Sequence, residues 1–146
     1  MIYTKETKKA LKLCFEVHKE QIDKSGLPYV FHPFHLAEQM DDENSVIVAL
    51  LHDVVEDCNI TFEDLEAMRF SVEVMNALRL LTHKNGVDYF EYVNRIKENP
   101  LATKVKLADL RHNSDTSRLE KLTQRDIERA NKYKKAIQIL ESKCNK

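Results

Sequence analysis

An imidazole and three carboxylates occur within six residues of an otherwise apolar stretch, residues 49–57. The stretch is predicted to be helical, and residues three and four apart share one face of a helix. On that face His52 lies beside Glu56, and Asp53 lies beside both Glu56 and Asp57. Like charges at this spacing repel one another, and burying them without a partner costs several kcal/mol or forces a proton onto one of them. Because a metal cation offsets such charge, the stretch predicts a metal site.

Two further residues of metal-ligand type stand elsewhere in the chain. His32 lies between aromatic residues and a proline, and Asp109 lies at the edge of the apolar side of a predicted helix. Each of them alone is more often a structural residue than a ligand. Together with His52 and Asp53 they supply two imidazoles and two carboxylates, a set that suits Mn²⁺, Fe²⁺ or Zn²⁺. The Glu-Asp pair that ends the opening motif is then left to handle the protons of a water molecule at the metal.

The composition indicates that helices position these residues. Only two glycines and three prolines occur in 146 residues, too few for a turn-rich all-β fold. Apolar periodicity and capping residues predict one compact all-α domain over residues 1–146, with roughly seven or eight helices. The predicted helices cover about 4–20, short stretches after 33 and after 61, longer ones from 45 and from 71, and then 88–98, 101–113 and 124–142.

Charge balance and cysteine usage narrow the possible functions. With 23 basic and 24 acidic residues, the chain has no global positive field to attract nucleic acid. Cys14, Cys58 and Cys144 are odd in number and far apart, which is typical of a reducing cytoplasm rather than a disulfide framework. No apolar run approaches the roughly 20 residues that span a membrane. We therefore expect a cytoplasmic protein that binds neither membranes nor nucleic acid; its oligomeric state is not predicted.

Three motifs in a fixed order resemble those of a known family. They are SGLPYVFHP at 25–33, HDVVED at 52–57 and KLAD at 106–109. A His, then a His-Asp pair, then a distant Asp is similar to the HD-domain phosphohydrolase superfamily. The longer motifs look like the hydrolase domain of RelA/SpoT proteins and their stand-alone relatives, the small alarmone hydrolases and the metazoan SpoT homologue. The resemblance covers roughly residues 5–140 and implies an HD-domain helical bundle.

The resemblance also implies a reaction and the residues that perform it. That family removes the 3′-pyrophosphate of guanosine tetra- and pentaphosphate (ppGpp and pppGpp), giving GDP or GTP and pyrophosphate, and usually uses one Mn²⁺. Its metal ligands correspond to His32, His52, Asp53 and Asp109. Its catalytic pair corresponds to Glu56 and Asp57. Glu56 would orient or deprotonate the attacking water, and Asp57 would assist by protonating the leaving 3′ oxygen.

Four residues are candidate substrate contacts on the same grounds: Ser25, Lys84, Arg111 and Asn113. Asn113 corresponds to a polar family residue that follows the distant Asp. Arg111 stands one position away from the family's Arg. On a helix, this shift of one residue rotates the side chain by about 100°. Family members usually carry a base-stacking Arg where this chain has Asp23.

Two other functions stay open at this point. Asp23 cannot stack on a guanine base as an arginine does, which favours a phosphohydrolase that acts on another nucleotide or phosphorylated metabolite. A non-catalytic nucleotide-binding module is the third possibility. It would be indicated by loss of a ligand or of the Glu56–Asp57 pair, and this chain retains all of them.

Overall fold

Nine helices form within residues 1–142, the part of the chain that the computed structural model describes. They are α1 (Lys5–His18), α2 (Phe31–Glu38), α3 (Glu43–Leu51), α4 (Val54–Asp57), α5 (Phe62–Ala67), α6 (Val72–Leu81), α7 (Tyr89–Ile96), α8 (Pro100–Ser114) and α9 (Gln124–Glu141). Within these residues the β-structure is limited to one isolated bridge, between Ile22 and Pro28. The all-α prediction is confirmed, and the assignment of residues 1–146 to one domain stays a prediction.

Side-chain caps begin several helices where the sequence predicts them. Thr61 and Thr123 each form a capping box with the third residue of α5 and α9. The side chain of Asn99 caps α8, and Pro100 occupies the first position of that helix. These groups satisfy backbone N–H donors that a helix leaves unpaired at its start. Asn99 and Pro100 therefore fix where α8 begins, and α8 carries Asp109 of the predicted site.

The central element of the fold is α3. Residues 45–51 are all buried, with at most 2% of any side chain exposed. Helices α1, α2, α6 and α8 pack around it. A helix that is apolar on every side belongs in the interior, because it has no face to offer to water. The end of α3 consequently delivers His52 into the protein interior.

The helix predicted through the His-Asp motif is interrupted, which corrects the expectation of one continuous helix. α3 ends one residue before His52, and Asp53 has φ −110° and ψ 0°. Nδ1 of His52 bonds the carbonyl oxygen of Ala49 at 2.7 Å. In a continuous helix that oxygen would accept the N–H of Asp53. The ring therefore competes with the backbone, and helical spacing no longer determines how Glu56 faces His52.

The loop between α1 and α2 is organised by the carboxylate of Asp23. It accepts hydrogen bonds from the N–H and hydroxyl of Ser25 at 2.8 and 2.6 Å, and from the N–H of Leu27 at 3.0 Å. Gly26 has φ +85°, a conformation that glycine adopts without strain. The loop leads directly into α2, so its internal hydrogen bonds help to fix the position of His32.

Two structural features bear on the predicted cellular environment: the apolar character of the helices and the state of the cysteines. Within residues 1–142 no helix has the length and apolar character needed to cross a lipid bilayer. Cys14 is buried and Cys58 is half-buried, and both are free thiols. Cys144 lies outside the described residues.

Replacing Leu50 by alanine tests the central role of α3. The side chain is fully buried, so Leu50→Ala should lower the free energy of unfolding by about 2 to 5 kcal/mol. Val72→Ala is the control: this side chain is 71% exposed, and the change should cost less than about 0.5 kcal/mol. Urea denaturation measures both. A small loss for Leu50→Ala would show that α3 is not the packing centre.

Candidate active site

Three buried side chains from separate helices meet in the interior of the protein. His32 comes from α2, His52 from the end of α3 and Asp109 from α8, and each is only 4% exposed. One potential ligand atom from each lies within 4.8 Å of the other two. Nε2 of His32 is 2.8 Å from Oδ1 of Asp109, and Nε2 of His52 is 3.5 Å from the same oxygen. The structure thus brings together three of the four predicted metal ligands.

The environment of His52 favours a cation. Its Nδ1 is committed to the Ala49 carbonyl, so this nitrogen carries a proton. Its Nε2 is buried and makes no hydrogen bond, although Oδ2 of Asp53 lies only 3.1 Å away. Burial lowers the pKa of His52, but the charges of Asp53 and Asp109 outweigh it and raise that pKa well above its usual value. The donors therefore fit a divalent cation, which a proton on Nε2 replaces when no metal is bound.

The fourth predicted ligand, Asp53, lies beside the trio but is not part of it. The hydroxyl of Tyr29 donates a hydrogen bond to Oδ2 of Asp53, the same oxygen that approaches His52. Burial, and next to it the charge of Asp53, raises the pKa of Tyr29 far above its usual value, so the phenol remains a donor. A partner of this kind fixes the orientation of a ligating carboxylate.

The carboxylate of Asp109 is satisfied on both oxygens. Oδ1 accepts hydrogen bonds from His32 and from the amide of Asn113 at 2.9 Å, and Oδ2 pairs with Nζ of Lys106 at 2.9 Å. Burial raises the pKa of Asp109, but Lys106 and the two histidines outweigh it and hold the pKa well below its usual value. The ammonium group of Lys106 also lies 5.3 Å from the centre of the Tyr92 ring. Asp109 is therefore held as an anion in the interior.

A second histidine orients His32. Nδ1 of His32 and Nδ1 of His112 are 2.6 Å apart, and their rings stack with centres 4.9 Å apart. Burial, followed by the neighbouring His32, lowers the pKa of His112 to about 4, so it is neutral at physiological pH. One of the two Nδ1 atoms donates to the other, and this contact turns Nε2 of His32 towards Asp109. His112 is thus a positioning group for a predicted ligand.

The predicted catalytic pair lies on α4, the short helix that follows His52 and Asp53, and both residues are accessible to solvent. Partial burial and the nearby charge of Asp53 raise the pKa of Glu56 to about 7, against the opposing effect of Lys106. The same two causes raise the pKa of Asp57. Carboxyl groups with raised pKa values beside a buried cluster of ligands are suited to proton transfer.

A cleft of about 520 Å³ opens beside these groups. Its walls include the predicted residues His32, Asp57, Asn113 and Ser25, together with Tyr29, Asp23, Lys24, Arg118, Leu119, Arg129 and Tyr133. Arg118 and Tyr133 were not predicted from the sequence as site residues. Tyr133 stands in a lysine-rich stretch that reads as a solvated helix face, and Arg118 stands in a polar stretch without periodicity.

The predicted substrate contacts divide into two groups. Asn113 and Ser25 line the cleft, although the hydroxyl of Ser25 is engaged by Asp23. Lys84 is exposed and does not line that cleft. Arg111 does not line it either, because it faces α9, where its guanidinium lies 2.7 Å from Glu141.

The sequence of this chain is similar to those of known proteins. A protein of Spiroplasma citri named guanosine-3′,5′-bis(diphosphate) 3′-pyrophosphohydrolase is 38% identical over 95 residues, 62% of this chain and 12% of that protein. One of the same name from Aquifex aeolicus is 30% identical over 125 residues, 78% of this chain and 18% of that protein. The chain thus spans less than a fifth of either relative. No protein-family model matches it.

A solved structure extends the likeness to nearly the whole chain. It is described as a metazoan ortholog of SpoT that hydrolyses ppGpp and plays a role in starvation responses. The TM-score is 0.76 at 26% sequence identity, and the match covers 97% of this chain and 89% of the other. The chain belongs to the RelA/SpoT-like branch of the HD-domain phosphohydrolases. The resemblance read from the three motifs is confirmed, and so is the HD-type helical fold that it implied.

Metal binding to this RelA/SpoT-like chain should depend on Asp109. After treatment with a chelator, the wild-type protein should bind about one Mn²⁺ per chain, because the buried donors lack a cation. Asp109→Asn keeps the shape of the side chain but removes its charge, and should weaken Mn²⁺ binding by more than about tenfold. Isothermal titration calorimetry measures the affinity, with circular dichroism as a check of folding.

Asp41→Asn is the matched control, because Asp41 is exposed and pairs with Lys104 away from the trio. It should bind Mn²⁺ like the wild type. Equal affinity in Asp109→Asn and the wild type would contradict the assignment, and so would an equal loss in both variants. Should Asp109→Asn fail to fold, His52→Gln provides the same test.

Proposed function

We propose that this chain is a metal-dependent phosphohydrolase that removes the 3′-pyrophosphate of ppGpp or pppGpp, giving GDP or GTP and pyrophosphate. The observation that carries the proposal is the convergence of His32, His52 and Asp109, with one buried nitrogen left without a hydrogen-bond partner, beside the cleft. The names of the two curated relatives and the description of the structural neighbour support the choice of substrate.

The proposed metal site comprises His32, His52, Asp53 and Asp109, and the proposed ion is Mn²⁺. Two imidazoles and two carboxylates also suit Fe²⁺ and Zn²⁺. When bound, the cation supplies a Lewis acid that offsets negative charge as the pyrophosphate reacts. Asp53 would join the set, since its Oδ2 is 3.1 Å from Nε2 of His52. Tyr29, Lys106 and His112 then hold the ligands rather than the substrate.

Glu56 and Asp57 divide the two proton transfers that the reaction needs. Water attacks the phosphorus next to the 3′ oxygen, so the attacking water loses a proton and the leaving 3′ oxygen gains one. Glu56, with a pKa of about 7, is suited to accept the first proton near neutral pH. Asp57 lines the cleft and has a raised pKa, which suits it to deliver the second.

Some of the predicted substrate contacts fit the proposal better than others. Asn113 and Ser25 line the cleft and are proposed to touch the nucleotide. Lys84 and Arg111 remain predictions that the cleft geometry does not support. A cytoplasmic location, and a nucleotide rather than a nucleic acid as partner, remain part of the proposal.

Activity on ppGpp is the direct test of this function. With Mn²⁺ present, the purified protein should release pyrophosphate and GDP, separated by ion-exchange chromatography. Glu56→Gln removes the proton acceptor while keeping its size, so kcat should fall by about 10² to 10⁴. Glu63→Gln, an exposed change on α5, should leave kcat within about twofold of the wild type.

A panel of other nucleotides separates the proposal from its alternatives. Preference for ppGpp and pppGpp supports it, whereas a wild-type protein that spares both and cleaves other nucleotides is a phosphohydrolase of different specificity. Equal turnover by Glu56→Gln and wild type would remove the proposed role of Glu56.

A further inference from the structure

The cleft is lined by an ion pair that the proposed chemistry does not use. Oδ2 of Asp23 lies 3.5 Å from Nη1 of Arg118, across 95 positions of sequence. The carboxylate of Asp23 is only 18% exposed. It also accepts three hydrogen bonds from its own loop, two from Ser25 and one from Leu27. Asp23 is therefore immobilised by that loop, and Arg118 is held against a fixed anchor.

Arg118 is held at a second point as well. Its Nη2 donates to the carbonyl oxygen of His112 at 3.4 Å, at the end of α8. Nη2 thus has a carbonyl acceptor and Nη1 faces the carboxylate of Asp23, so contacts on two sides restrain the guanidinium. The side chain remains 33% exposed and lines the same cleft as His32 and Asn113. Its two engaged nitrogens lie at the edge of the group, so the flat face is the part that these contacts do not use.

A guanidinium held in this way suits a planar ring better than a phosphate. Phosphate binds the N–H donors at the edge of an arginine, often two at a time. In Arg118 the Nη1 atom faces Asp23 and Nη2 donates to the His112 carbonyl, so part of that edge is already engaged, and the carboxylate offsets the positive charge. These two contacts do not use the face of the guanidinium, and arginine faces stack on aromatic rings and on nucleobases. Apolar Ile22 and Leu119 line the same cleft and add non-polar surface for such a ring.

We propose that Arg118, held by Asp23 and the His112 carbonyl, is the platform on which the purine base of the substrate stacks. The inference rests on the proposed function and names the subsite for the base. Asp23 is then a positioning residue that acts through Arg118 and does not touch the nucleotide. His32 and Asp57, which line the same cleft, are on this account nearer the pyrophosphate, and Arg118 is nearer the base.

Steady-state kinetics on ppGpp with Mn²⁺ test the platform. Arg118→Ala should raise KM by about tenfold and leave kcat within about twofold, because base stacking contributes to binding and not to the chemical step. Arg118→Lys should behave like Arg118→Ala, since lysine keeps the charge but has no planar face. Asp23→Asn should raise KM in the same direction without changing kcat.

The matched control is Arg95→Ala. Arg95 is also an exposed arginine paired with a carboxylate, Glu91 on α7, and it does not line the cleft. It should keep the wild-type KM. Wild-type KM in Arg118→Ala would overturn the proposal, and so would wild-type KM in Arg118→Lys, because a point charge would then suffice.

A binding measurement tests the base subsite independently of the proposed hydrolysis of ppGpp. Equilibrium dialysis of GDP should show about tenfold weaker binding to Arg118→Ala than to wild type. Ribose 5-phosphate, which has no base, should bind equally to both. Equal losses for the two ligands, or no loss for GDP, would overturn the stacking role. Failure to cleave ppGpp, with the GDP result as expected, would instead overturn the proposed substrate and leave the base subsite standing.

Discussion

The interaction on which the site depends is the approach of His52 to two carboxylates inside the protein. Its Nε2 lies 3.1 Å from Asp53 and 3.5 Å from Asp109, yet hydrogen-bonds to neither. Nearby charges have large effects in the interior, where water does not screen them. The arrangement is stable only with positive charge on or beside Nε2, either a proton or a metal cation. The fold therefore supplies donors for a cation at the end of its most apolar helix.

The surrounding elements hold these donors in place. α3 carries His52 into the interior, and α2 and α8 pack against it, bringing His32 and Asp109 to the same point. Partners outside the ligand set satisfy the remaining atoms: Lys106 and Asn113 for Asp109, His112 for His32, and Tyr29 for Asp53. Such partners preorganise a site, so little reorganisation is needed when a cation arrives.

The sequence points to the buried cluster of His32, His52 and Asp109 more clearly than to the residues that line the cleft. His32, His52 and Asp109 stand out because residues of ligand type interrupt apolar segments, and burial makes such groups improbable without a function. The break after α3 was not predicted, because it depends on the His52 ring bonding the Ala49 carbonyl. Pattern alone could not find the pairing of Asp23 with Arg118, since both lie in aperiodic loops joined only by the fold.

The central claim is that His32, His52 and Asp109 form a metal centre, and the location of a bound ion tests it most directly. Crystals grown after chelation and then soaked in Mn²⁺ can be measured near the manganese absorption edge. The account predicts one dominant anomalous peak within bonding distance of both Nε2 atoms and the Asp109 carboxylate. No peak at that position, or a dominant peak at a surface carboxylate such as Asp42, would contradict it.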